Sequence, residues 1–149
     1  SGIFAYNDLI YFTDSETSSV REINLKTDHV RTIVGHGLFE FGHKDGDIDE
    51  ALLQHPLGIS SISNKIFVAD TYNSDIRIIE LEKQRISTLV GRRTFGICRV
   101  DDPKCDTLAL YEPSDVKVYQ DKLYISDTNN HLIRIYDLKE NLLTTLDIK

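Results

Sequence analysis

The sequence predicts an all-β chain, a β-propeller of four-stranded antiparallel blades of which three are present. Three runs of β-branched and aromatic residues each end in an aspartate, at Asp14, Asp70 and Asp127, with offsets of 56 and 57 residues. Around each run lie three further short runs of similar composition, bounded by Asn, Asp, Ser and Lys, as is typical of strands. A four-stranded antiparallel unit repeated in tandem indicates a propeller blade.

The repeat extends through the whole chain. The offsets that align the three aspartates also align Val20-Arg21 with Ile76-Arg77 and Ile133-Arg134, and they align Gly2 with Gly58 and Asp115. Matches at this many positions are hard to obtain by chance. We therefore divide the chain into three copies within one propeller domain, at residues 1–46, 47–103 and 104–149.

Each copy is predicted to form four strands in sequence order. The second strands are nearly continuous apolar runs that end at the aspartate, so both of their faces are expected to be buried. One position in them is always small, Thr13, Ala69 or Ser126, which suits close approach of neighbouring sheets. The first strands are predicted at Ile3–Tyr6, Ile59–Ile62 and Val116–Tyr119, the third at Val20–Leu25, Ile76–Leu81 and Ile133–Leu138, and the fourth at Val30–Val34, Ile86–Val90 and Leu142–Leu146.

A polar turn joins the second and third strands of each copy. Asp14, Asp70 and Asp127 open these turns, and Asn130 lies within the third of them. Side chains of Asp and Asn accept hydrogen bonds from turn amides and tolerate left-handed backbone geometry. We predict that these four residues are structural, because all three copies carry the aspartate in the same turn. A catalytic or metal-binding aspartate is the alternative.

Long polar segments, 35–54 and 91–112, join the copies. Each ends in a sequence typical of a short helical turn, at 49–53 and 106–110, which Asp47 or Asp49, and Asp106, would cap. In an up-and-down blade these linkers lie at the same end as the turns after the second strands. We call this end the rim and expect its long loops to carry binding residues, since binding sites favour loops on a rigid scaffold. The expected binding residues are Phe39, Phe41, His43, Tyr72, Asn73, Arg92, Arg93, Phe95, Asn129 and His131.

Composition and charge limit the partners. Of the 149 residues 40% are hydrophobic and 28% charged, which is typical of a globular protein and excludes a wholly disordered chain. The net charge is −7, whereas a nucleic-acid binder needs a basic footprint. No apolar run approaches the roughly 20 residues of a membrane helix. We therefore expect neither a membrane partner nor a nucleic-acid partner.

The strand ends and turns of copies two and three resemble a known repeat. His55-Pro56-Leu57-Gly58-Ile59 is followed by Val68-Ala69-Asp70-Thr71-Tyr72-Asn73, and copy three contains Asn130-His131-Leu132. These segments resemble the NHL repeat, which is named after that triplet. The segment from Asp45-Gly46 to Gly58 resembles in particular the subgroup of NHL-repeat proteins that carry a thioredoxin-like domain ahead of the propeller. Thr17 in the first turn and Asp115 in place of a glycine depart from the pattern.

The resemblance implies a ring of six blades, half of which this chain contains. Known propellers have about four to eight blades, so three blades cannot close a ring. The outer faces of copies one and three carry apolar side chains, and large exposed apolar patches mark interfaces. We expect the ring to be closed either by remaining blades of the same protein or by a second copy of this chain.

We expect a non-catalytic scaffold whose long-loop rim binds a protein or peptide without a cofactor, and the resemblance implies a thioredoxin-like domain upstream. Any redox chemistry would then reside in the upstream domain. Cys98 and Cys105 lack the spacing of a C-x-x-C redox pair, and two cysteines are few for a disulfide-rich scaffold. Reduced thiols are favoured over a small-loop disulfide, and a cytoplasmic location is expected.

Two alternative functions follow from related propellers. A metal-dependent lyase or hydrolase needs several ligands from different blades around one ion. Four histidines are expected at the rim but are scattered along the sequence, so we expect no metal site and no catalytic residue: His36, His43, His55 and His131. An RNA-binding propeller needs a basic face, and Arg92-Arg93 is the only compact basic pair in a rim segment. The repeated Arg21, Arg77 and Arg134 are expected to pair with acids.

Overall fold

The computed structural model describes residues 1–91 and 109–147. Arg92, Arg93, Phe95, Cys98 and Cys105 lie outside these residues, as does most of the predicted helical turn at 106–110. The predictions made for them stay predictions.

Three antiparallel sheets follow one another along the chain, and we call them blades one, two and three. The strands of each blade are hydrogen-bonded in sequence order, and blade two carries a fifth strand, β5, on the outer side of β9. Blade one contains β1 Ile3–Tyr6, β2 Leu9–Asp14, β3 Ser19–Asn24 and β4 His29–Val34. Blade two contains β5 Gly46–Asp47, β6 Pro56–Ile62, β7 Lys65–Asp70, β8 Asp75–Glu80 and β9 Arg85–Gly91. Blade three contains β10 Asp115–Tyr119, β11 Lys122–Asp127, β12 Leu132–Asp137 and β13 Leu142–Thr145.

This architecture confirms the predicted all-β fold of four-stranded antiparallel blades. Strand β6 begins at Pro56 instead of Ile59, and β3, β8 and β12 each begin and end one residue earlier than predicted. In the described residues, the regular structure outside the strands consists of single 3₁₀ turns at Thr71–Asn73, Leu81–Lys83 and Thr128–Asn130. Within residues 1–91 and 109–147 there is no helix long and apolar enough to cross a membrane.

The two hydrophobic cores lie between neighbouring blades. Successive side chains of a strand point to opposite faces of its sheet, so β7 contributes Ile66 and Val68 to the core shared with blade one. Its Phe67 and Ala69 enter the core shared with blade three. All four side chains are fully buried, as predicted for a second strand. Strands β2 and β11 are buried less completely, because each outer blade has a neighbour on one face only.

Small residues allow neighbouring blades to approach closely near the first strands. A Cβ atom on Gly58 would lie 2.4 Å from the Cα atom of Asp115 in the next blade, and one on Gly2 would lie 2.6 Å from the Leu57 carbonyl oxygen. The Asp115 carboxylate, at a position where copies one and two have glycine, lies over Gly58 and accepts hydrogen bonds from its own strand at Val116 N and Lys117 Nζ. The absence of a side chain at Gly58 therefore accommodates Asp115.

A repeated pair of polar contacts joins each blade to the next. The residue after the aspartate donates from its hydroxyl to a proline carbonyl, from Ser15 to Pro56 at 2.8 Å and from Thr71 to Pro113 at 2.9 Å. Three residues further on, a serine hydroxyl accepts from the backbone N–H just before that proline: Ser18 from His55 and Ser74 from Glu112. These bonds fix where each following blade begins.

Two of the three repeated aspartates, Asp70 and Asp127, are the centres of buried networks. In blade two, Asp70 Oδ1 accepts from the Gln54 N–H at 2.7 Å, and Oδ2 accepts from Asn73 Nδ2 at 2.8 Å and from Arg77 Nη1 at 2.7 Å. Burial raises the pKa of Asp70, an effect that Arg77 and the two amide donors oppose. The turn after β7 is thereby tied both to β8 and to the linker.

Blade three repeats this network. Asp127 accepts from the Tyr111 N–H at 2.8 Å, from Asn130 Nδ2 at 2.8 Å and from Arg134 Nη1 at 3.0 Å. In blade one Asp14 pairs with Arg21 at 2.9 Å, with both side chains about one-third exposed, and Thr17 stands where the other blades have asparagine. Asp70 and Asp127 thus each bind a turn asparagine, a linker amide and an arginine, whereas Asp14 binds Arg21 alone among these groups, and the structural role of Asp14, Asp70, Asp127 and Asn130 stays a prediction.

The linker between blades one and two packs along the outer edge of blade two. Arg77 binds it through the Leu52 and Lys44 carbonyl oxygens and the Asp45 carboxylate, the last at 2.6 Å. Strand β5 then pairs with the start of β9. The short helical turn predicted at 49–53 lies two residues earlier. It is a single turn at 48–50, in which the N–H groups of Glu50 and Ala51 both donate to the Asp47 carbonyl.

Replacing Arg77 by leucine is expected to lower the free energy of unfolding by about 3–5 kcal/mol, because it leaves a buried carboxylate without its cation. The matched control is Arg85→Leu, which removes an exposed pair with Asp47 at 3.1 Å. That change is expected to cost less than about 1 kcal/mol. Urea unfolding of both variants measures the difference in their free energies of unfolding. Equal losses of stability would contradict a stabilising role for the buried Arg77 guanidinium.

Replacing Asp45 by asparagine is expected to reduce the acid sensitivity of folding. Burial alone would raise the pKa of Asp45, but the Thr88 N–H and the Arg77 guanidinium together hold it below its usual value. A depressed folded-state pKa stabilises the fold above the ordinary aspartate pKa of about 3.9, and that stability is lost as the pH falls through the folded-state value. The urea midpoint, followed from pH 7 to pH 3, should therefore fall less in Asp45→Asn than in the wild type. The opposite order would show that Asp45 is not stabilised as an anion.

Candidate functional site

The rim is defined by the strand register. The pairs Asp14–Ser19, Asp70–Asp75 and Asp127–Leu132 close the second and third strands at this end. Strands β4 and β9 also end here, at Val34 and Gly91. The turns after the second strands and the beginnings of the linkers therefore share one end of the molecule, as the topology predicts.

In blade two, a stacked aromatic pair lies on the rim. The rings of His55 and Tyr72 are stacked with centroids 4.5 Å apart and planes 18° apart. His55 precedes Pro56 and has a left-handed φ of 51°, while the Tyr72 N–H donates to the Gln54 carbonyl. The Tyr72 side chain is 58% exposed, so the outer part of the pair faces solvent.

Blade three presents two different side chains at the same two positions. Glu112 precedes Pro113, has a φ of 47° and accepts from Asn129 Nδ2 at 2.8 Å. The Asn129 N–H donates to the Tyr111 carbonyl, which repeats the backbone contact of Tyr72. We call these two positions, the residue before the proline and the second residue after the aspartate, the rim pair. The backbone of the rim pair repeats from blade to blade, whereas its side chains do not.

The rim pairs follow one another around the rim. His55 is held to blade one by Ser18, and Glu112 is held to blade two by Ser74, two residues after Tyr72. In blade one the second position of the pair is the exposed Glu16. The order is therefore Glu16, then His55 with Tyr72, then Glu112 with Asn129. Tyr111, which is half-exposed, adjoins Glu112.

The predicted binding residues are placed differently from one another. Tyr72, Asn129 and His131 are exposed at the rim turns, and Phe39 and Phe41 are exposed on the linker, with Phe39 at 87%. Asn73 is buried, and its amide donates to Asp70 Oδ2 and to the Gly42 carbonyl at 2.8 Å. Its position therefore corresponds to that of Asn130. Its amide stabilises the turn through these hydrogen bonds and is not directed towards a ligand.

His43 attaches the linker to blade two. Its Nε2 atom lies 2.8 Å from the carboxylate of the buried Asp75 and 3.2 Å from Thr88 Oγ1. Beyond His43 the linker descends beside β9, so the expectation that the whole linker lies at the rim was wrong for residues 44–52. Within the described part of the linker, only its first half and its last residues contribute to the rim.

Two of the repeated arginines are not surface groups. The side chains of Arg77 and Arg134 are fully buried in their aspartate networks, and Arg21 pairs with Asp14. The carboxylates at the rim include those of the exposed Glu16 and Glu40 and of the partly buried Glu112. In the described residues no three His, Cys, Asp or Glu side chains are grouped closely enough to hold a metal ion.

His55 and Glu112 were expected at the rim, but neither was predicted to be a binding residue. The sequence did contain a sign of their equivalence. Each of the two residues precedes the proline that opens a blade, and they are separated by the repeat offset of 57 residues. Their side-chain types differ, however, and the contact of each with the turn after the second strand is made only in the folded blade.

Comparison with known proteins identifies relatives of this chain. It is 36% identical over 162 residues to SUPPRESSOR OF QUENCHING 1, a chloroplastic protein of Arabidopsis thaliana, in a match that covers all of this chain and 15% of that protein. It is 34% identical over 148 residues to human NHL repeat-containing protein 2, with 93% of this chain and 20% of that protein covered. The chain thus spans a fifth or less of the length of these relatives. No protein-family model matches it.

Solved structures with the same fold have diverged further in sequence. A protein of unknown function from Bacteroides thetaiotaomicron superposes with a TM-score of 0.70 at 20% identity, covering 87% of this chain and 32% of that one. An auxiliary nutrient binding protein from the same organism superposes with a TM-score of 0.59 at 14% identity, covering 94% of this chain and 35% of that one. At these identities the likeness extends to the fold alone.

The named relatives confirm the resemblance found in the sequence, including the subgroup to which it pointed. The blades, the repeated aspartate networks and these relatives together show that the chain belongs to the NHL-repeat β-propellers.

Proposed function

We propose that the chain is a non-catalytic scaffold whose rim binds a protein or peptide. The observation that carries the proposal is the rim pair: one backbone frame, repeated between blades, presents His55 with Tyr72 in one blade and Glu112 with Asn129 in the next. The frame is held by buried networks, so a change of exposed side chain leaves the blade intact. Variable side chains on a rigid frame suit recognition of a partner.

The exposed apolar residues near the rim support this role. Tyr72 and Tyr111 lie on neighbouring blades, and Leu38, Phe39 and Phe41 project from the linker. Aromatic side chains are enriched at protein interfaces because they offer a large contact area with few rotatable bonds. Among the described residues, the repeated arginines Arg21, Arg77 and Arg134 are paired with aspartates, which supports a protein or peptide partner over the RNA-binding alternative.

We also propose that further blades close the ring on both sides of this chain. Blade three has a groove of about 460 Å³ lined by Thr128, Ile133 and Leu146 among others. Thr128 occupies the position at which Thr71 binds the proline carbonyl of the next blade. In the full protein the upstream thioredoxin-like domain implied by the subgroup would hold any redox chemistry. A cytoplasmic location stays a prediction, and the name of one relative indicates a chloroplast.

Selection from a library of random 12-residue peptides tests the proposed rim. Peptides are selected on the protein that carries this chain and then tested on a rim variant, His55→Ser with Tyr72→Ser and Asn129→Ser. A control variant changes exposed residues at the opposite end, Tyr6→Ser with Tyr119→Ser. We expect selected peptides to lose binding to the rim variant and to keep it on the control. If no peptide depends on the rim, the scaffold proposal is wrong.

Light scattering of the isolated chain tests ring closure. The outer faces of blades one and three are both apolar. We therefore expect the isolated chain to associate and to have the mass of two or more copies. A longer protein with further blades attached is expected to be monomeric. A stable monomer of three blades, unchanged by dilution or salt, would contradict the proposed interfaces. The proposed rim can hold or fail independently of this result.

A further inference from the structure

We infer that the rim partner is a basic segment that inserts an arginine over the His55–Tyr72 pair, between the carboxylates of Glu16 and Glu112. This inference rests on the proposed binding role of the rim and specifies the chemistry of the partner. It is carried by the order of side chains around the rim and by the charge distribution of the described residues.

The first element is the aromatic platform. His55 supports the Tyr72 ring from one side at 4.5 Å, which fixes the ring in place and leaves its exposed part open to solvent. A guanidinium group stacks on a tyrosine face through cation–π attraction, and a ring held in advance loses little entropy on binding. Tyr111, half-exposed on the next blade, adds a second aromatic surface close by.

The second element is the charge on either side of the platform. Glu16 occupies the same rim position one blade before Tyr72, and Glu112 belongs to the rim pair one blade after it. Asn129 Nδ2 donates to Glu112 Oε2 at 2.8 Å, and among residues 1–91 and 109–147 the other carboxylate oxygen of Glu112 has no hydrogen-bond partner. Arginine is the cation that fits both elements, because its planar group can stack on a ring while its N–H groups donate to carboxylates.

The third element is that the nearest positively charged side chains among the described residues already have carboxylate partners. Arg77 and Arg134 are buried against aspartates, Arg21 pairs with Asp14, and Lys44 pairs with Glu50 at 2.9 Å. Arg77 and Arg134 are therefore held by buried carboxylates, whereas Arg21 and Lys44 each have a carboxylate partner nearer the surface. Complementarity at this part of the rim favours a basic partner, in agreement with the net charge of −7.

Fluorescence anisotropy with three labelled nine-residue peptides tests the inference on the protein that carries this chain. The peptides share a Gly-Ser background and contain three arginines, three lysines or three glutamates. We expect the arginine peptide to bind most tightly and the glutamate peptide not to bind. Tyr72→Leu, which keeps the bulk of the side chain but removes the ring, should weaken arginine-peptide binding by about 3- to 5-fold. Glu112→Gln should weaken it by about 2- to 5-fold and flatten its salt dependence.

Matched variants at the opposite end separate a site from general attraction to an acidic protein. Tyr119→Leu and Glu140→Gln alter an exposed tyrosine and an exposed glutamate there and should leave binding unchanged. Equal weakening by rim and control variants would overturn the inference. The inference would also be overturned if the glutamate peptide bound preferentially and lost this binding in the double variant Arg92→Ala with Arg93→Ala. Rim-dependent binding of a single-stranded RNA probe in place of the peptide would overturn it as well.

The anisotropy experiment and the library selection test different claims, so the two proposals can fail separately. If selected peptides depend on the rim but are acidic or neutral, the scaffold proposal stands and the basic partner is wrong. If no peptide depends on the rim, both are wrong.

Discussion

The buried pair of Asp70 and Arg77 is the interaction on which the geometry of the middle blade depends. Each charge would be costly to bury alone, and each is compensated by several partners at once. The carboxylate binds the turn and the linker, and the guanidinium binds the carboxylate, two linker carbonyls and Asp45. One pair of side chains thereby joins two strands, a turn and the segment that arrives from the preceding blade. Asp127 and Arg134 form the corresponding pair in blade three.

In this arrangement, one set of side chains stabilises the blade and a different set is available to bind a partner. The networks hold the turn after the second strand and the residue before the proline in fixed relation, and they use buried side chains to do so. The exposed members of the rim pair contribute little to the networks, so they differ between His55 with Tyr72 and Glu112 with Asn129 on an equivalent backbone. A repeat protein can change its binding surface in this way without a change of fold, because each blade contacts only its neighbours.

Much of the candidate surface could be predicted from the sequence, but with two kinds of error. Tyr72 and Asn129 were assigned to the rim correctly because topology places every turn after a second strand at one end. Asn73 was grouped with them, although its amide is turned inward to Asp70, since sequence neighbours in a tight turn point in different directions. Residues 44–52 were assigned to the rim because nothing in the sequence shows that Arg77 binds the linker down the edge of β9.

The sequence by itself determined the blade. Repeat offsets, β-forming runs and recurrent aspartates identify four antiparallel strands per copy, because strand pairing and turn chemistry are local and each copy restates them. Only the tertiary structure decided which of the rim side chains contact one another. His55 meets Tyr72, and Glu112 meets Asn129, through contacts between residues 17 positions apart. In each case a hydroxyl of the preceding blade binds the carbonyl of the adjoining proline, a long-range contact that sequence alone does not show.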